Sequence, residues 1–270
     1  MRELTLHEIQ KESLTVLLEF DRLCKENDLH YTLAFGTLIG AIRHKGFIPW
    51  DDDIDVCMER ADYEKFISLF EYNDDILPFK LCTRRNTENY FVDIPRFSST
   101  LFRYKTTNPY EKDYDCGVFI DMYPIDYCDN SEKDQAGKKK LMNLYKLYSM
   151  YVGVGSPKRL YKLIRKTGYF LMKGISREKM LDYIDKETYK ILDEMDKGKH
   201  IYLTPLFGGD MIYLVKKEWM DGTIMAEFEG HMFPIPEHYD EVLRLYYNDY
   251  MQLPPEEKRK PYHNYKIYEK

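Results

Sequence analysis

The sequence predicts an α+β protein in which a mixed sheet is flanked by helices and interrupted by a helical insertion. Through residues 1–130, short apolar runs typical of strands alternate with longer runs whose apolar residues have helical spacing. Residues 131–198 have helical spacing alone, and short strand-like runs return in residues 199–270. We therefore expect a core at 1–130, a helical insertion at 131–198 and a C-terminal part at 199–270 that returns to the core.

The chain is predicted to begin with an amphipathic helix. Thr5 and Glu8 have the spacing of a capping box, in which each side chain accepts a hydrogen bond from the other residue's backbone. Apolar residues follow at mostly helical spacing: Leu6, Ile9, Val16, Phe20 and Leu23. The partly alternating run at residues 30–35 then predicts a short strand that ends at Gly36, followed by a short helix.

A second strand and helix are predicted at residues 54–58 and 61–72, where an apolar run is followed by helical spacing. Further strands are predicted near four positions: Lys80, Tyr90, Thr100 and Gly117. After the helical insertion, strands are predicted at residues 200–204 and 223–233, and a last helix at 236–248.

Composition excludes several classes of protein. The 270 residues are 44% hydrophobic, and a globular chain of this length buries roughly three quarters of its unfolded surface. Lysine and arginine total 40 against 46 aspartates and glutamates, so the net charge of −6 argues against a nucleic-acid partner. The 5 cysteines lack the spacing of zinc or redox pairs, and no apolar stretch is long enough to span a membrane. With an N-terminus too polar for a signal peptide, these features predict a soluble cytoplasmic protein.

The most informative stretch, residues 31–56, contains a dense group of carboxylates: Asp51, Asp52, Asp53 and Asp55. Like charges this close repel, which raises carboxylate pKa values unless a cation lies among them. Side chains alternate along a strand, so Asp53 and Asp55 are expected on the same face when the intervening Ile54 points into a core. Two such acids can bind Mg²⁺ or Mn²⁺, which prefer oxygen ligands, and Mg²⁺ is usually shared with substrate phosphates. The alternative is a solvated acidic loop.

The residues before the acids suit phosphate binding. Gly36 and Thr37 lie between a predicted strand and a predicted helix, where free backbone N–H groups and the positive end of the helix dipole favour an anion. Arg43 and Lys45 follow in the same region and can add positive charge. Trp50 stands beside the acids, where it can stack on a base or pack in the core.

A third carboxylate is expected from a neighbouring strand. Asp121 lies within the otherwise apolar run 117–123, where an unpaired charge is costly to bury. This carboxylate can complete a metal site, accept the proton of an attacking hydroxyl, or cap the turn that ends the strand. Asp93, in the run 91–94, is a weaker competitor for the same role.

Residues 31–56 and their continuation through Phe66 resemble the LicD family of phosphocholine transferases, which is related to fukutin and fukutin-related protein. They are also similar to the wider nucleotidyltransferase superfamily, in which a Gly-[Gly/Ser] turn precedes an Asp-x-[Asp/Glu] strand. Thr37 stands where that superfamily usually has serine or glycine, and the gap to Asp53 is somewhat long. Three stretches near the C-terminus also resemble the family: residues 228–236, 246–251 and 253–259.

The resemblance implies a nucleotidyltransferase-like mixed sheet and transfer of an alcohol phosphate, typically phosphocholine from CDP-choline or another CDP-alcohol, with CMP leaving. The implied acceptor is a hydroxyl of a cell-surface glycan or teichoic-acid precursor. By position in the family motif, Asp53 and Asp55 are metal ligands and Asp121 is the expected third carboxylate. Asp51 matches the same motif and is expected to support the ligands or to orient the substrate. The implied cofactor is Mg²⁺, with Mn²⁺ as a substitute, which would neutralise charge during an in-line transfer.

Two other functions stay open. A nucleotidyltransferase that passes NMP from an NTP to a small acceptor would use the same carboxylates and release pyrophosphate instead of CMP. A calcium-binding module is the remote alternative, because Asp51, Asp53 and Asp55 match the first three ligand positions of an EF-hand loop. Asp62 matches the last position, but the loop requires glycine at its sixth position, where the chain has Val56.

Two further signals concern the surface. Residues 156–173 include several lysines and arginines but no acid, with apolar residues at helical spacing. This pattern predicts a surface helix that holds the protein to an anionic membrane, at its inner face, or guides a phosphate-rich polymer. The alternative is a solvated face on a core-packed helix. His263 lies in the family-like tail and is interpreted either as a phosphate contact or as an exposed residue without a role.

Overall fold

The computed structural model describes residues 1–70, 77–129, 131–195, 200–203, 214–261 and 263–270. Some predictions fall outside these ranges: the end of a helix at residues 71–72, the strand position 204, and residues 130 and 196–199 at the insertion boundaries. The division into a core, an insertion and a C-terminal part stays a prediction.

The helices of the described residues follow the predicted order along the chain. They are α1 (Leu6–Glu26), α2 (Phe35–Ile39), α3 (Arg60–Ser68), α4 (Glu132–Tyr151), α5 (Arg159–Met172), α6 (Arg177–Glu194) and α7 (Tyr239–Tyr247). A π-helical turn at Gly40–His44 continues α2. The predicted capping box is present at the start of α1, where the Glu8 N–H donates to the Thr5 hydroxyl and the Thr5 N–H donates to the Glu8 carboxylate.

The strands are short except for one near the middle of the chain. They are β1 (Thr32–Leu33), β2 (Asp55–Glu59), β3 (Phe79–Cys82), β4 (Arg96–Ser99), β5 (Phe102–Thr106), β6 (Phe119–Cys128), β7 (His200–Leu203), β8 (Leu214–Lys216), β9 (Thr223–Phe228), β10 (His231–Pro236) and β11 (Tyr265–Glu269). The long strand β6 has 10 residues and pairs with strands on both of its sides.

One mixed sheet joins 7 of these strands. Five follow the order β1-β2-β6-β4-β3, while β7 pairs with β6 and β8 pairs with β7. Strands β2 and β6 run parallel, with Asp55 opposite Asp121. Strand β4 runs antiparallel to β6 and places Arg96 opposite the same Asp121. The prediction of an α+β fold with a mixed sheet flanked by helices is confirmed.

Two predicted strands differ from the observed ones for local reasons. No strand forms near Tyr90, because Asn86 organises a turn in which its amide donates to the Leu81 carbonyl and its side-chain oxygen accepts from the Thr83 N–H. The first strand is shorter than predicted because α2 already begins at Phe35.

The C-terminal region also departs from the prediction. The run predicted as one strand at residues 223–233 is a hairpin of β9 and β10. It turns at Glu229 and Gly230, which both have positive φ. Strand β11 was not predicted, and it pairs with β5, more than a hundred residues earlier in the chain.

A hydrophobic core lies between the sheet and the helices α1 and α3. Three fully buried rings meet there: Phe20 of α1, Phe66 of α3 and Phe97 of β4. Ring centroids are 4.8 Å apart for Phe20 and Phe66 and 5.8 Å apart for Phe66 and Phe97. Val56 and Met122 join this core, and side chains alternate along a strand, so their neighbours Asp55 and Asp121 project from the opposite face of the sheet.

The helices α4, α5 and α6 pack together beside the end of β6. Cys128, the last residue of β6, is buried with Leu141 of α4 and Ile191 of α6. Helix α5 contributes no buried residue. Within the described ranges, no helix has the length and apolar composition needed to cross a bilayer.

Candidate active site

Three buried carboxylates converge at the start of β2 and β6. Asp55 and Asp121 lie side by side because the two strands are parallel and in register at these residues. Asp53 precedes Asp55 by two positions and therefore projects to the same side. Oxygens of Asp53, Asp55 and Asp121 all lie within 4.8 Å of one another, and the residues are 8%, 8% and 3% exposed. The structure thus brings together all three predicted metal ligands.

The electrostatics of this cluster favour a bound cation. Burial raises the pKa of Asp53 well above its usual range, although the positive charge of His263 opposes the rise. Burial also raises the pKa of Asp55, and the charges of Asp53 and Asp121 add to that effect. The Asp55 Oδ1 atom is buried and has no hydrogen-bond partner among the described residues. An unpartnered carboxylate oxygen between two other carboxylates fits a divalent metal ligand.

Arg96 of β4 holds Asp121 in place, although no pattern in the sequence predicts this contact. Its Nε donates to Asp121 Oδ1 at 2.8 Å, and its guanidinium lies 3.7 Å from the centroid of the Phe119 ring. Both partners of this ion pair are buried. The sequence shows only a basic residue close to the strand predicted near Thr100. The register of β4 against β6, which places Arg96 opposite Asp121, is seen only in the structure.

A second group of contacts comes from the C-terminal end of the chain. His263 Nδ1 lies 2.7 Å from Asp52 Oδ1, and its Nε2 lies 3.3 Å from Asp53 Oδ2. Burial would lower the pKa of His263, but the hydrogen bond with Asp52 and the charge of Asp53 outweigh it and raise that pKa to about 9. The hydroxyl of Tyr265 donates to the Asp52 carbonyl at 2.8 Å. His263 therefore lies against the carboxylate cluster, and its role as a phosphate contact stays a prediction.

The predicted turn at Gly36 and Thr37 supports the acidic strand directly. The Asp55 N–H donates to the Thr37 hydroxyl at 2.9 Å. Gly36 lies so close to Asp51 that a Cβ atom there would be 2.7 Å from an Asp51 carboxylate oxygen. Burial, followed by the charge of Asp52, raises the pKa of Asp51 to about 6. Phosphate binding by this turn stays a prediction.

The contacts described for the other predicted substrate-binding residues are with groups other than the clustered carboxylates. Arg43 donates through Nη1 to the Tyr250 carbonyl and through Nε to the neighbouring His44 ring. Lys45 is exposed and has a positive φ. Trp50 is partly buried against the core, which agrees with its packing interpretation, and the Arg259 guanidinium lies 5.8 Å from its ring centroid. Roles for these three residues in binding the donor stay predictions.

Asp93, the weaker candidate for a third carboxylate, lies elsewhere. It forms an ion pair with Arg84 at 2.8 Å and lines a cavity of about 340 Å³ between α3, α4 and α6. None of the three clustered carboxylates lines that cavity. The charged groups on the wall of this cavity neutralise one another, because Arg84 forms ion pairs with both Asp93 and Asp185. We therefore assign no function to the cavity.

The acidic run does not form a calcium loop. Val56 and its neighbours belong to strand β2, which pairs with β1 and β6. An EF-hand loop needs a sharp turn at that position, between two helices. The geometry therefore excludes the EF-hand alternative for Asp51, Asp53 and Asp55.

A mixed sheet that aligns Asp55 of one strand, with Asp53 just before it, and Asp121 of the parallel neighbouring strand places the protein in the nucleotidyltransferase-like class. Residues 28–140 match the family model described as LicD/FKTN/FKRP, nucleotidyltransferase domain. The chain is 32% identical to the lipopolysaccharide cholinephosphotransferase LicD of Haemophilus influenzae, over 99% of this chain and 99% of that protein. It is also 28% identical to an uncharacterized protein of Rickettsia typhi, over 71% of this chain and 56% of that one. The chain belongs to the LicD family.

Proposed function

We propose that the protein transfers phosphocholine, or a similar alcohol phosphate, from a CDP-alcohol such as CDP-choline to a hydroxyl of a cell-surface glycan or teichoic-acid precursor, with CMP leaving. As a member of the LicD family, the chain is a transferase enzyme. The relative from Haemophilus influenzae is named for cholinephosphotransfer to lipopolysaccharide. The observation that carries the proposal is the cluster of Asp53, Asp55 and Asp121, whose buried oxygens suit a reaction on a diphosphate.

We assign the metal site to the same three carboxylates. Asp53, Asp55 and Asp121 would hold Mg²⁺, or Mn²⁺ in its place, because both ions prefer carboxylate oxygens. When bound, the metal supplies positive charge to the donor diphosphate and to the departing CMP. Since Arg96 pairs with Asp121, we assign Asp121 to the ligands rather than to the role of general base.

The neighbouring residues orient this cluster and the substrate. Thr37 fixes the start of β2 through its bond with the Asp55 N–H. His263 keeps its proton at neutral pH, because its pKa is raised to about 9, and so it places a positive charge beside Asp52 and Asp53. A cation at that position favours the approach of a phosphate group to acids that would otherwise repel it.

We place the reaction in the cytoplasm, at the inner face of the membrane. The 5 cysteines are all free and buried, which is consistent with a reducing compartment. A precursor that carries a lipid anchor would be met at that membrane face.

A panel of CDP-alcohols tests the donor and the metal together. We expect CMP release from CDP-choline or a related CDP-alcohol in the presence of Mg²⁺, with choline label appearing on a glycan acceptor, and no release in EDTA. Pyrophosphate release from an NTP, with NMP appearing on the acceptor, would instead identify a nucleotidyltransferase. CMP release that is unchanged by EDTA would contradict the metal assignment.

A pair of matched variants tests the carboxylates themselves. Asp55→Asn keeps the shape of the side chain but removes a charged ligand, so kcat should fall by at least about 100-fold. The melting temperature in EDTA should not fall, because the substitution removes a costly buried charge. Asp115→Asn is the control, since the Asp115 side chain is 71% exposed and pairs with Lys80 instead of with the clustered carboxylates. Equal activity of the two variants would remove Asp55 from the site.

A further inference from the structure

We propose that α5 docks the protein on an anionic lipid bilayer, with its outward apolar side among the acyl chains and its basic side chains on the phosphate headgroups. The proposal concerns how the protein is held at a surface, and it stands whether or not the carboxylates transfer phosphocholine. It rests on the exposure, the orientation and the charge of a single helix.

The apolar residues of α5 face solvent instead of the core. Five large apolar side chains of this helix are 51% to 80% exposed: Leu160, Leu163, Ile164, Phe170 and Leu171. A helix on the surface of a globular protein normally turns such residues inward. Contiguous exposed apolar residues of this size mark an interaction site. The alternative of a solvated charged face on a core-packed helix does not describe α5, because none of its residues is buried.

The orientation of α5 is fixed by contacts on its other side. Arg165 Nη1 donates to the Ser149 hydroxyl at 3.2 Å and to the Val154 carbonyl at 3.0 Å. Gly168 lies so close to Met150 of α4 that a Cβ atom there would be 2.1 Å from the sulfur. With about 100° of rotation per residue, Leu160, Leu163 and Leu171 lie about 120° to 160° away from Arg165 around the helix axis. The apolar side is therefore held outward by the packing of the inward side.

The charge of this segment selects an anionic partner. Residues 156–173 carry no acid, although the whole chain has a net charge of −6. Lys162, Lys166 and Lys173 are exposed and lie along one flank of the apolar side. Among the described residues none of these three lysines forms an ion pair with a carboxylate. Basic residues beside an outward apolar side are typical of helices that lie in the plane of an anionic membrane surface.

The length and the composition of α5 favour a bilayer over a protein partner. Helix α5 has 14 residues, which corresponds to a length of about 21 Å at 1.5 Å per residue. An amphipathic helix of this kind can bury its apolar side about 5 to 10 Å into the boundary between headgroups and acyl chains. We therefore assign the surface to phospholipid and treat a second copy of the chain as the competing outcome.

Vesicle binding tests the proposal directly. The full chain is mixed with vesicles of equal parts phosphatidylglycerol and phosphatidylcholine, or of phosphatidylcholine alone, and bound protein is measured by co-sedimentation. We expect binding to the mixed vesicles at least about 10-fold tighter than to phosphatidylcholine alone, with the difference reduced in 0.5 M salt, which we choose because it screens surface charge. Equal binding to both vesicles, or no binding to either, would overturn the proposal.

Surface variants locate the binding to α5. Lys162→Gln/Lys166→Gln should weaken binding to mixed vesicles about 25-fold, since each surface lysine contributes about five-fold. Leu163→Ser/Leu171→Ser should weaken binding to a similar or greater extent, because two apolar side chains no longer enter the bilayer. Both pairs are exposed, so the melting temperature serves only to confirm an intact fold.

Matched substitutions elsewhere serve as controls. Ile224→Ser/Met225→Ser removes two apolar residues of β9 that are 41% and 50% exposed. Lys11→Gln/Lys25→Gln removes two exposed lysines from α1. Both controls should bind vesicles like the parent chain, and control variants that lose as much binding as the α5 variants would overturn the proposal. The proposal would also be overturned if analytical ultracentrifugation showed a dimer that depends on α5 and the chain did not bind vesicles.

Discussion

The short distances between residues of the site restrict which side chains fit there, in addition to the chemistry that each position needs. Asp51 and Gly36 illustrate this, because the glycine leaves only enough room for the carboxylate to lie against the backbone of α2. The sequence predicted Gly36 as part of a phosphate-binding turn. The structure adds a steric reason for glycine there, which no pattern in the sequence contains.

Gly36→Ala should impair the site without unfolding the protein. The new Cβ would lie 2.7 Å from Asp51 Oδ2, so the Asp51 carboxylate must move. We expect a loss of unfolding free energy of about 1 to 3 kcal/mol, together with a larger proportional loss of kcat. Urea denaturation and CMP release measure the two effects.

Gly174→Ala is the control for that substitution, because no described atom lies within 4 Å of the corresponding Cβ position. Its stability should match or slightly exceed that of the parent chain. If both alanine variants behave alike, the close approach of Asp51 is not a constraint on the site.

At the scale of elements, the register of three strands builds the cluster. Parallel pairing of β2 with β6 sets Asp55 beside Asp121, and antiparallel pairing of β4 sets Arg96 beside the same residue. Local patterns predicted α1, β2 and α3 well, because capping and apolar spacing are encoded within each segment. They identified neither Arg96 nor β11, because pairing between distant segments is not encoded in either segment alone.

The pair formed by Arg96 and Asp121 can be tested by removing one partner or both. Arg96→Met leaves the Asp121 carboxylate buried without its cation, which should cost about 3 kcal/mol or more of unfolding free energy. Arg96→Met combined with Asp121→Asn removes both charges and should recover at least half of that loss. Urea denaturation in EDTA gives both values. A double variant no more stable than Arg96→Met would mean that the arginine acts through packing on Phe119 rather than through its charge.

At the scale of the whole molecule, the C-terminal strand β11 joins the end of the chain to the core. Strand β11 pairs with β5, and Ile267 of β11 is fully buried in the core. The same stretch places His263 and Tyr265 against Asp52, which is 211 positions away from His263 in the chain. The resemblance identified the tail as part of the family, and residue chemistry alone left His263 open, because only the closed fold reveals its partners.

The stability of the metal-free protein should fall as pH rises from about 5 to 9. A carboxyl whose pKa is raised on folding binds its proton more tightly in the folded state, so raising the pH favours unfolding. Asp51 contributes this effect between its ordinary value of 3.8 and its raised pKa of about 6. His263 acts in the same direction, because its stabilising charge is complete below 6.5 and lost as pH rises through about 9.

Thermal melting at several pH values, with EDTA or with Mg²⁺ or Mn²⁺, measures this dependence. In EDTA we expect a decrease in melting temperature of at least about 5 °C across that range. Added metal should raise the melting temperature more at pH 8 than at pH 5, since it binds the deprotonated carboxylates. A metal effect independent of pH, or a melting temperature that rises with pH in EDTA, would contradict the arrangement of these acids.

The long strand β6 has a mechanical consequence for a protein held by α5. Within β6, about 23 Å separates Asp121, near the start of the strand, from its last residue Cys128, which is anchored between α4 and α6. Because α5 packs on α4, a bilayer under α5 would set both the height and the tilt of the carboxylates above it. The enzyme would then modify acceptors whose hydroxyl lies at that distance from the bilayer. It would not modify acceptors whose hydroxyl lies closer to the lipid.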